Sequence, residues 1–472
     1  YHTATLHVMR LLSLLLLLSP ASSFTFSQPP QFRLGGTCGG ESTLPSPSLS
    51  STSLRATSSS FLTAAQLDAL SPSVGRTPFY AYSRPGLEAS AASALRFPNA
   101  YGLTVRYAMK ACPTLGILRV FREAGIKVDA SSVFEVTRAL RAGYEYGDIS
   151  LSTQELSGEF VEMVEKGLKL NCCSLNQLRQ FGEAFKGTGK KCGIRINPGV
   201  GSGGFSKSTT GFSKTNVGGP TSSFGIWVGS VEDGTVKQIV EEYGIEVERI
   251  HTHIGSGSDP EVWKQVAVKS LEFASYFPTV TSLNLGGGYK VGRNPGEPST
   301  DLQECGSTVK AAFEDFNSKT GRSISLEIEP GTFLVANNGA LVSRVQDIVE
   351  TSDYKFYKLD SGMTDVLRPS LYGAIHPCTV LPREETGEEE EVVIVGHCCE
   401  SGDLLTPQPG EPEALGTRVT AKASVGDYVV VDGSGAYCSG MSTKNYNSFP
   451  EAAEVMVWEG GHEVIRRRQR PE

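Results

Sequence analysis

No Cys-x-x-Cys spacing occurs among the ten cysteines of the 472 residues. The two adjacent pairs, Cys172-Cys173 and Cys398-Cys399, are poor partners for each other, because neighbours on a strand point apart. A disulfide scaffold is therefore not expected, and mostly free thiols in a reducing compartment are the simpler reading. Positive charge is also short. The net charge of −8 argues against a nucleic-acid surface, and Arg466-Arg467-Arg468 reads as a solvated end. The leucine-rich run Leu11 to Leu18 is too short to cross a bilayer with ease. With 39% hydrophobic and 20% charged residues, the chain has an ordinary globular composition. Its length suggests two domains plus an appendage.

The appendage is residues 1–60. Met9-Arg10 precedes the Leu11 to Leu18 core, and Ser19-Pro20-Ala21-Ser22-Ser23-Phe24 supplies small residues at a cleavage site. Met9 is the expected initiator. To about Ser60 the chain is then rich in Ser, Thr, Pro and Gly, with Glu41 its only acidic residue. This resembles the two-part plastid leader of algae with secondary plastids; plain secretion is the alternative, disfavoured by the cysteine pattern.

From Val105 onward strand-like and helix-like segments alternate. Strands are expected at Val105–Met109, Lys127–Ala130, Asp148–Leu151, Leu168–Asn171, Gly193–Asn197, Val247–His253, Thr281–Leu285 and Ser325–Glu329. Helical spacing marks Thr114–Ala124 and Val262–Phe277. Eight strands alternating with helices fit a (β/α)8 TIM barrel over residues 89–341, although a doubly wound sheet shares the pattern. After about Val342 the texture turns to Val- and Tyr-rich segments such as Val392–Val395, Tyr428–Asp432 and Glu454–Trp458, which read as a C-terminal β-sandwich or β-barrel domain. Phe79–Tyr82 has the same texture, so residues 61–88 are assigned with 342–472. The acidic run Glu384 to Glu391 reads as a solvated loop tip, and Gly201 to Gly219 as a lid or a neutral insertion.

Three groups fall at expected strand ends, where barrel enzymes place their chemistry. Lys110 ends the first strand; beside Tyr107, Ala108 and Met109 its ammonium is expected to be desolvated, with a lowered pKa. Gly286 to Gly288 close the seventh, where backbone N–H groups approach a phosphate. Glu329 ends the eighth, placing a carboxylate where it keeps a ring nitrogen protonated. An amine, a phosphate cradle and a carboxylate are what pyridoxal 5'-phosphate needs from a protein. Individually each has a plainer explanation: a surface lysine, a flexible turn, a capping glutamate. His251-Thr252-His253 puts two imidazoles on one face of a strand, but no third ligand sits at metal spacing, so no metal is assigned. Cys399 lies far along the chain from Lys110; a thiol there is either packing or a proton donor.

In this order the segments resemble the fold type III, alanine-racemase-like pyridoxal-phosphate decarboxylases, and within them the diaminopimelate decarboxylase family. The likeness runs from about Thr77 to Arg470. It is carried by Tyr107 to Ala111, His251 to Asp259, Asn284 to Arg293, Glu327 to Gly331, Asp360 to His376, Cys399 to Asp403 and Gly433 to Ser448. The resemblance implies that Lys110 holds the cofactor covalently and that His253 stacks on its ring. Ser256 and Gly286, Gly287 and Gly288 would hold the phosphate, with Tyr437 nearby, and Glu329 would pair with the ring nitrogen. Arg368 and Tyr372 would grip a substrate carboxylate and Glu400 the distal ammonium. Cys399 would act as proton donor from the second subunit of a homodimer with shared active sites. The substrate implied is meso-2,6-diaminopimelate, which carries both charges at each end.

One position departs from the pattern: Thr332 stands after Glu-Pro-Gly where the family usually has Arg, a carboxylate ligand. Arg195, Lys214 and Arg293 are the candidate replacements. The rival readings are decarboxylation of ornithine, arginine or carboxynorspermidine on the same scaffold, or a non-catalytic regulatory homologue. The second predicts loss of the lysine or the glycines, and both are present. A racemase is disfavoured by the Cys399-Glu400 pair.

Overall fold

The computed structural model describes residues 61–199, 219–253 and 257–470. The leader, Lys214, most of the 201–219 loop and Ser256 lie outside them.

The barrel is built on β2 (Leu103–Ala108), β3 (Lys127–Ala130), β4 (Ile149–Leu151), β5 (Lys169–Cys172), β6 (Lys191–Asn197), β8 (Glu246–Thr252), β9 (Ser282–Asn284) and β10 (Ser325–Ile328). All neighbours pair in parallel, and the β10–β2 and β5–β6 pairings close the ring. That closure excludes the open sheet, and the eight strands are those expected from the sequence, with ends shifted by a few residues. The short β7 (Ile226–Trp227) pairs only with the end of β6. Helices cover the ring with one apolar face each. Leu115–Glu123 buries Ile117, Leu118, Val120 and Phe121. Pro260–Ser275 starts where Asp259 accepts the Glu261 N–H at 2.9 Å.

The second sheet comprises β1 (Phe79–Ser83), β11 (Gly339–Glu350), β12 (Lys355–Leu359), β13 (Cys378–Leu381), β14 (Glu389–Val395), β17 (Arg418–Ala421), β18 (Tyr428–Val431), β19 (Ala453–Trp458) and β20 (Gly461–Arg466). A hairpin of β15 (Pro407–Gln408) and β16 (Glu411–Leu415) stands apart. β1 lies between β11 (antiparallel) and β19 (parallel). Its alternation divides the packing. Tyr80 and Tyr82 join the large core shared with the barrel, whereas Phe79 and Ala81 pack under the helix Ala64–Val74 with Leu67 and Leu70.

The acidic run departs from expectation. Glu389, Glu390 and Glu391 are not loop but the start of β14, opposite Ala421, Thr420 and Val419. Cations on neighbouring strands make this tolerable: Lys355 pairs with Glu390, and Lys422 reaches Glu388 at 2.7 Å.

Candidate active site

Alternate residues of the barrel strands point inward and stack in layers. The lower layer is an ion triad. Glu327 on β10 receives a two-pronged contact from Arg106 on β2, Nε at 2.8 Å and Nη2 at 3.2 Å. Arg249 on β8 brings its Nε to 3.3 Å of the same carboxylate. Burial pushes the Glu327 pKa up, but Arg249 and Arg106 outweigh it and hold it down at about 2.

Two residues further along the same strands lies the reactive layer. Glu329, buried, accepts from Asn284 Nδ2 at 2.6 Å and faces His251 Nε2 at 3.4 Å. Burial works against its charge. His251, Lys110 and His253 more than offset that and keep the carboxyl ionised, well below the usual carboxylate range. The other His251 nitrogen, Nδ1, meets Ser152 Oγ at 3.2 Å.

Lys110 sits in the single turn Met109–Ala111 that follows β2, and its side chain lines the water-filled barrel mouth among the groups around it. The expectation of a lowered pKa is overturned. Enclosure among the groups of the mouth lowers it, as does Arg195, but Tyr437, Asp129 and Glu329 outweigh both, and the net direction is upward. Before any partner arrives, Tyr437, Asp129 and Glu329 favour the ammonium form of the lysine.

The glycines form a cradle that no side chain would fit. A Cβ on Gly286 would stand 2.4 Å from His253 Nδ1, and one on Gly287 only 2.2 Å from the Glu329 carbonyl oxygen. Gly286, at φ +70°, donates its N–H to Asn284 Oδ1 at 2.8 Å, and Gly287 donates to His253 Nδ1 at 3.0 Å. That bond fixes the His253 ring with its proton on Nε2. Burial first, then Lys110 and Arg195, drive the His253 pKa well below 6.5, so the imidazole is neutral.

The β-sheet domain closes the mouth. Tyr437, in the left-handed region at φ +57°, donates its N–H to the carbonyl of Ala111 at 2.8 Å, which seats it beside Lys110. Arg368 opens the short helix Arg368–Tyr372, and its Nε donates to His376 Nε2 at 3.3 Å. Tyr372, half-buried, ends that helix. Cys399 and Glu400 are elsewhere. They form an exposed turn, with the Cys399 N–H on Asn447 Oδ1 at 2.8 Å and the Tyr446 hydroxyl on Glu400 Oε2 at 3.4 Å. No described interaction joins them to Lys110.

Asp129 and Asn284 were not singled out by sequence reasoning, and Arg195 and His251 were named there for other roles. Asp129 on β3 is buried, and its Oδ1 has no hydrogen-bond partner. Burial, then Glu329, raise its pKa well above the usual range. Arg195 on β6 lies buried with its guanidinium 5.2 Å over the Phe224 ring and bears on Lys110, His253 and Asp129. Asn284 and His251 are the partners of Glu329. The only signal for Asp129 and Asn284 was their inward position at the end of a barrel strand.

The fold and site define a pyridoxal-dependent decarboxylase: the pyridoxal-binding domain model of that class matches residues 89–336. The diaminopimelate decarboxylase of Escherichia coli K12 is 34% identical over 375 residues, 77% of this chain and 86% of that one. A solved diaminopimelate decarboxylase is 33% identical with a TM-score of 0.78, covering 87% of this chain and 95% of its own. The Helicobacter pylori diaminopimelate decarboxylase, solved with L-lysine, is 25% identical with a TM-score of 0.72, over 84% and 95% of the two chains. The chain belongs to the diaminopimelate decarboxylase family. The residues present fit pyridoxal phosphate: an amine, an ionised buried carboxylate and a side-chain-free cradle meet at one mouth.

Proposed function

We propose that this chain converts meso-2,6-diaminopimelate to L-lysine and CO2 with pyridoxal 5'-phosphate, the last step of lysine biosynthesis. The observation that carries the reading is the meeting of Lys110, ionised Glu329 and neutral His253 around the Gly286–Gly288 cradle, in a chain of this family. When bound, the cofactor supplies the electron sink for the bond that breaks.

The chain's own residues do the rest. Lys110 is the amine for the cofactor's aldehyde. Its proton has to leave first. Glu329, anchored by Asn284, would pair with the cofactor's ring nitrogen and favour its protonated form. Neutral His253 offers a flat, uncharged face to the ring. Gly286 to Gly288, Ser256 and Tyr437 hold the phosphate. Arg368 and Tyr372 grip a substrate carboxylate, and Glu400 the distal ammonium. Fixed charges placed where negative charge develops are the main source of rate.

Cys399 and Glu400 stand on an exposed turn, and no hydrogen bond or ion pair among the described residues joins them to Lys110 of their own chain. That supports a homodimer in which each subunit lends this turn to the other's site as proton donor and ammonium ligand, through an isologous interface. Thr332 favours a second reading, decarboxylation of another basic amino acid. The leader pattern supports import into a plastid, which a fluorescent fusion of residues 1–60 would test. For the reaction itself, the chain should restore growth without lysine to a bacterium lacking its own diaminopimelate decarboxylase. Lys110→Ala should not. Equal growth with both, or with neither despite soluble protein, would refute the reading.

A further inference from the structure

Where the barrel rim meets the β-sheet domain, Arg293 and Arg368 lie close enough for each guanidinium to repel the other. Arg293 follows the glycine cradle, and its loop is pinned from three sides. Its N–H donates to Glu297 Oε2 at 2.8 Å, the preceding Gly292 carbonyl accepts from Asn337 Nδ2 at 2.9 Å, and its Nε donates to the Gly433 carbonyl at 3.0 Å. Gly433, at φ +64°, makes room for the side chain: a Cβ there would stand 2.9 Å from Arg293 Cδ. The Nη2 amino group at the end of this fixed arm is buried and has no hydrogen-bond partner. A buried, charged donor left unpaired is costly, so a site that holds one rigidly is built for something that arrives.

Arg368 is the neighbour. Its Nε is engaged by His376 Nε2 at 3.3 Å, and His376 in turn donates from Nδ1 to the Asp432 carbonyl at 2.9 Å. This leaves the imidazole neutral, as its pKa, lowered by burial first and then by both arginines, requires. Thus the guanidinium bonds of the two arginines go to a carbonyl and an imidazole, while Glu297 holds the Arg293 backbone N–H. Burial and then Arg368 push Arg293 down to about 9. The turn from Gly433 to Tyr437 links this cluster to the chemistry: Gly433 touches Arg293, and Tyr437 donates to Ala111 beside Lys110.

We propose that Arg293 and Arg368 together grip the carboxylate of diaminopimelate that is not removed, so that Arg293 supplies the guanidinium absent at Thr332. The assignment rests on the diaminopimelate reading and names its specificity determinant. Arg195 is a poorer choice, since it is stacked on Phe224 and faces Asp129, Lys110 and His253 instead. The rival anion for Arg293 is the cofactor phosphate.

L-lysine keeps the gripped carboxylate and cadaverine lacks it, so the two ligands read the contact directly. In the Arg293→Gln holoenzyme the inhibition constant of L-lysine and the KM of diaminopimelate should each rise roughly 10- to 100-fold, the range of a charge-assisted bond. Cadaverine binding and the visible absorbance of the bound cofactor should stay as in wild type. Cofactor lost on dialysis would give Arg293 to the phosphate and overturn the proposal. So would an unchanged ratio of L-lysine to cadaverine affinity. Arg293→Lys keeps the charge without the fork and should fall between; the same two ligands decide the matter on that variant if the glutamine one does not fold. Wild-type holoenzyme that binds both ligands equally would sink the diaminopimelate reading itself.

Discussion

Replacing Glu327 by Gln should destabilise the barrel strongly while leaving every group that meets the cofactor in place. Glu327 is buried beneath Glu329, gripped by Arg106 at 2.8 and 3.2 Å with Arg249 at 3.3 Å. Glutamine keeps the shape and removes the charge, leaving two guanidinium groups facing each other out of water. The carboxyl is displaced from 4.5 to about 2 on folding. At about 1.4 kcal/mol per tenfold change in proton affinity, the charge contributes about 3 kcal/mol at neutral pH. Breaking a buried ion pair from one side independently costs about 3–5 kcal/mol. The sign of the pH dependence follows from the depressed value. The contribution is complete above about pH 4.5 and is lost as pH falls toward 2, with about half gone by pH 3. Urea unfolding of wild type and Glu327→Gln should therefore show a gap of about 3 kcal/mol at pH 7 that narrows on acidification. Equal stabilities at pH 7, or a gap that does not change with pH, would refute the charge assignment of this layer.

Glu329→Gln should lower kcat by about 10²–10³ with a much smaller change in KM, because its charge acts on the developing carbanion; a fall under about tenfold in steady-state kinetics would contradict the role. His253 should contribute no inflection near pH 6.5 to kcat/KM, since its folded pKa lies well below that value. Stability should instead decline as pH falls below 6.5, where the unfolded chain takes the proton first; a wild-type inflection there that His253→Gln abolishes would disprove it. Inactive Lys110→Ala and Cys399→Ala chains, unfolded and refolded together, should regain about a quarter of wild-type activity, because half the dimers would hold one intact site of two. No recovery in the mixture would argue against shared sites.

The barrel was legible because its strands are buried on both faces and run as short apolar blocks between amphipathic helices. The strand-end positions of Lys110, Gly286 and Glu329 were legible for the same reason, since knowing where a strand stops locates its last residue at the mouth. What surrounds those residues was not. Glu329 meets His251 only because barrel closure stacks β8 and β10 in one layer, across Asn284 of β9. The protonation of Lys110 was misjudged because its nearest sequence neighbours are apolar, whereas the groups that raise its pKa, Tyr437, Asp129 and Glu329, lie far along the chain. Likewise Glu389 to Glu391 looked like a solvated tip until Lys355 and Lys422 were seen beside them. Arg293 could be named only as one of three candidates to replace the missing arginine. Its surroundings depend on Gly433 and Arg368, far along the chain.

The most direct test is release of CO2 and lysine from meso-diaminopimelate by protein beginning near Phe61, supplied with pyridoxal phosphate, beside ornithine and arginine. Lysine is expected from diaminopimelate alone, and none from Lys110→Ala. Turnover of ornithine or arginine instead, by protein whose bound-cofactor absorbance depends on Lys110, would keep the cofactor and contradict the substrate.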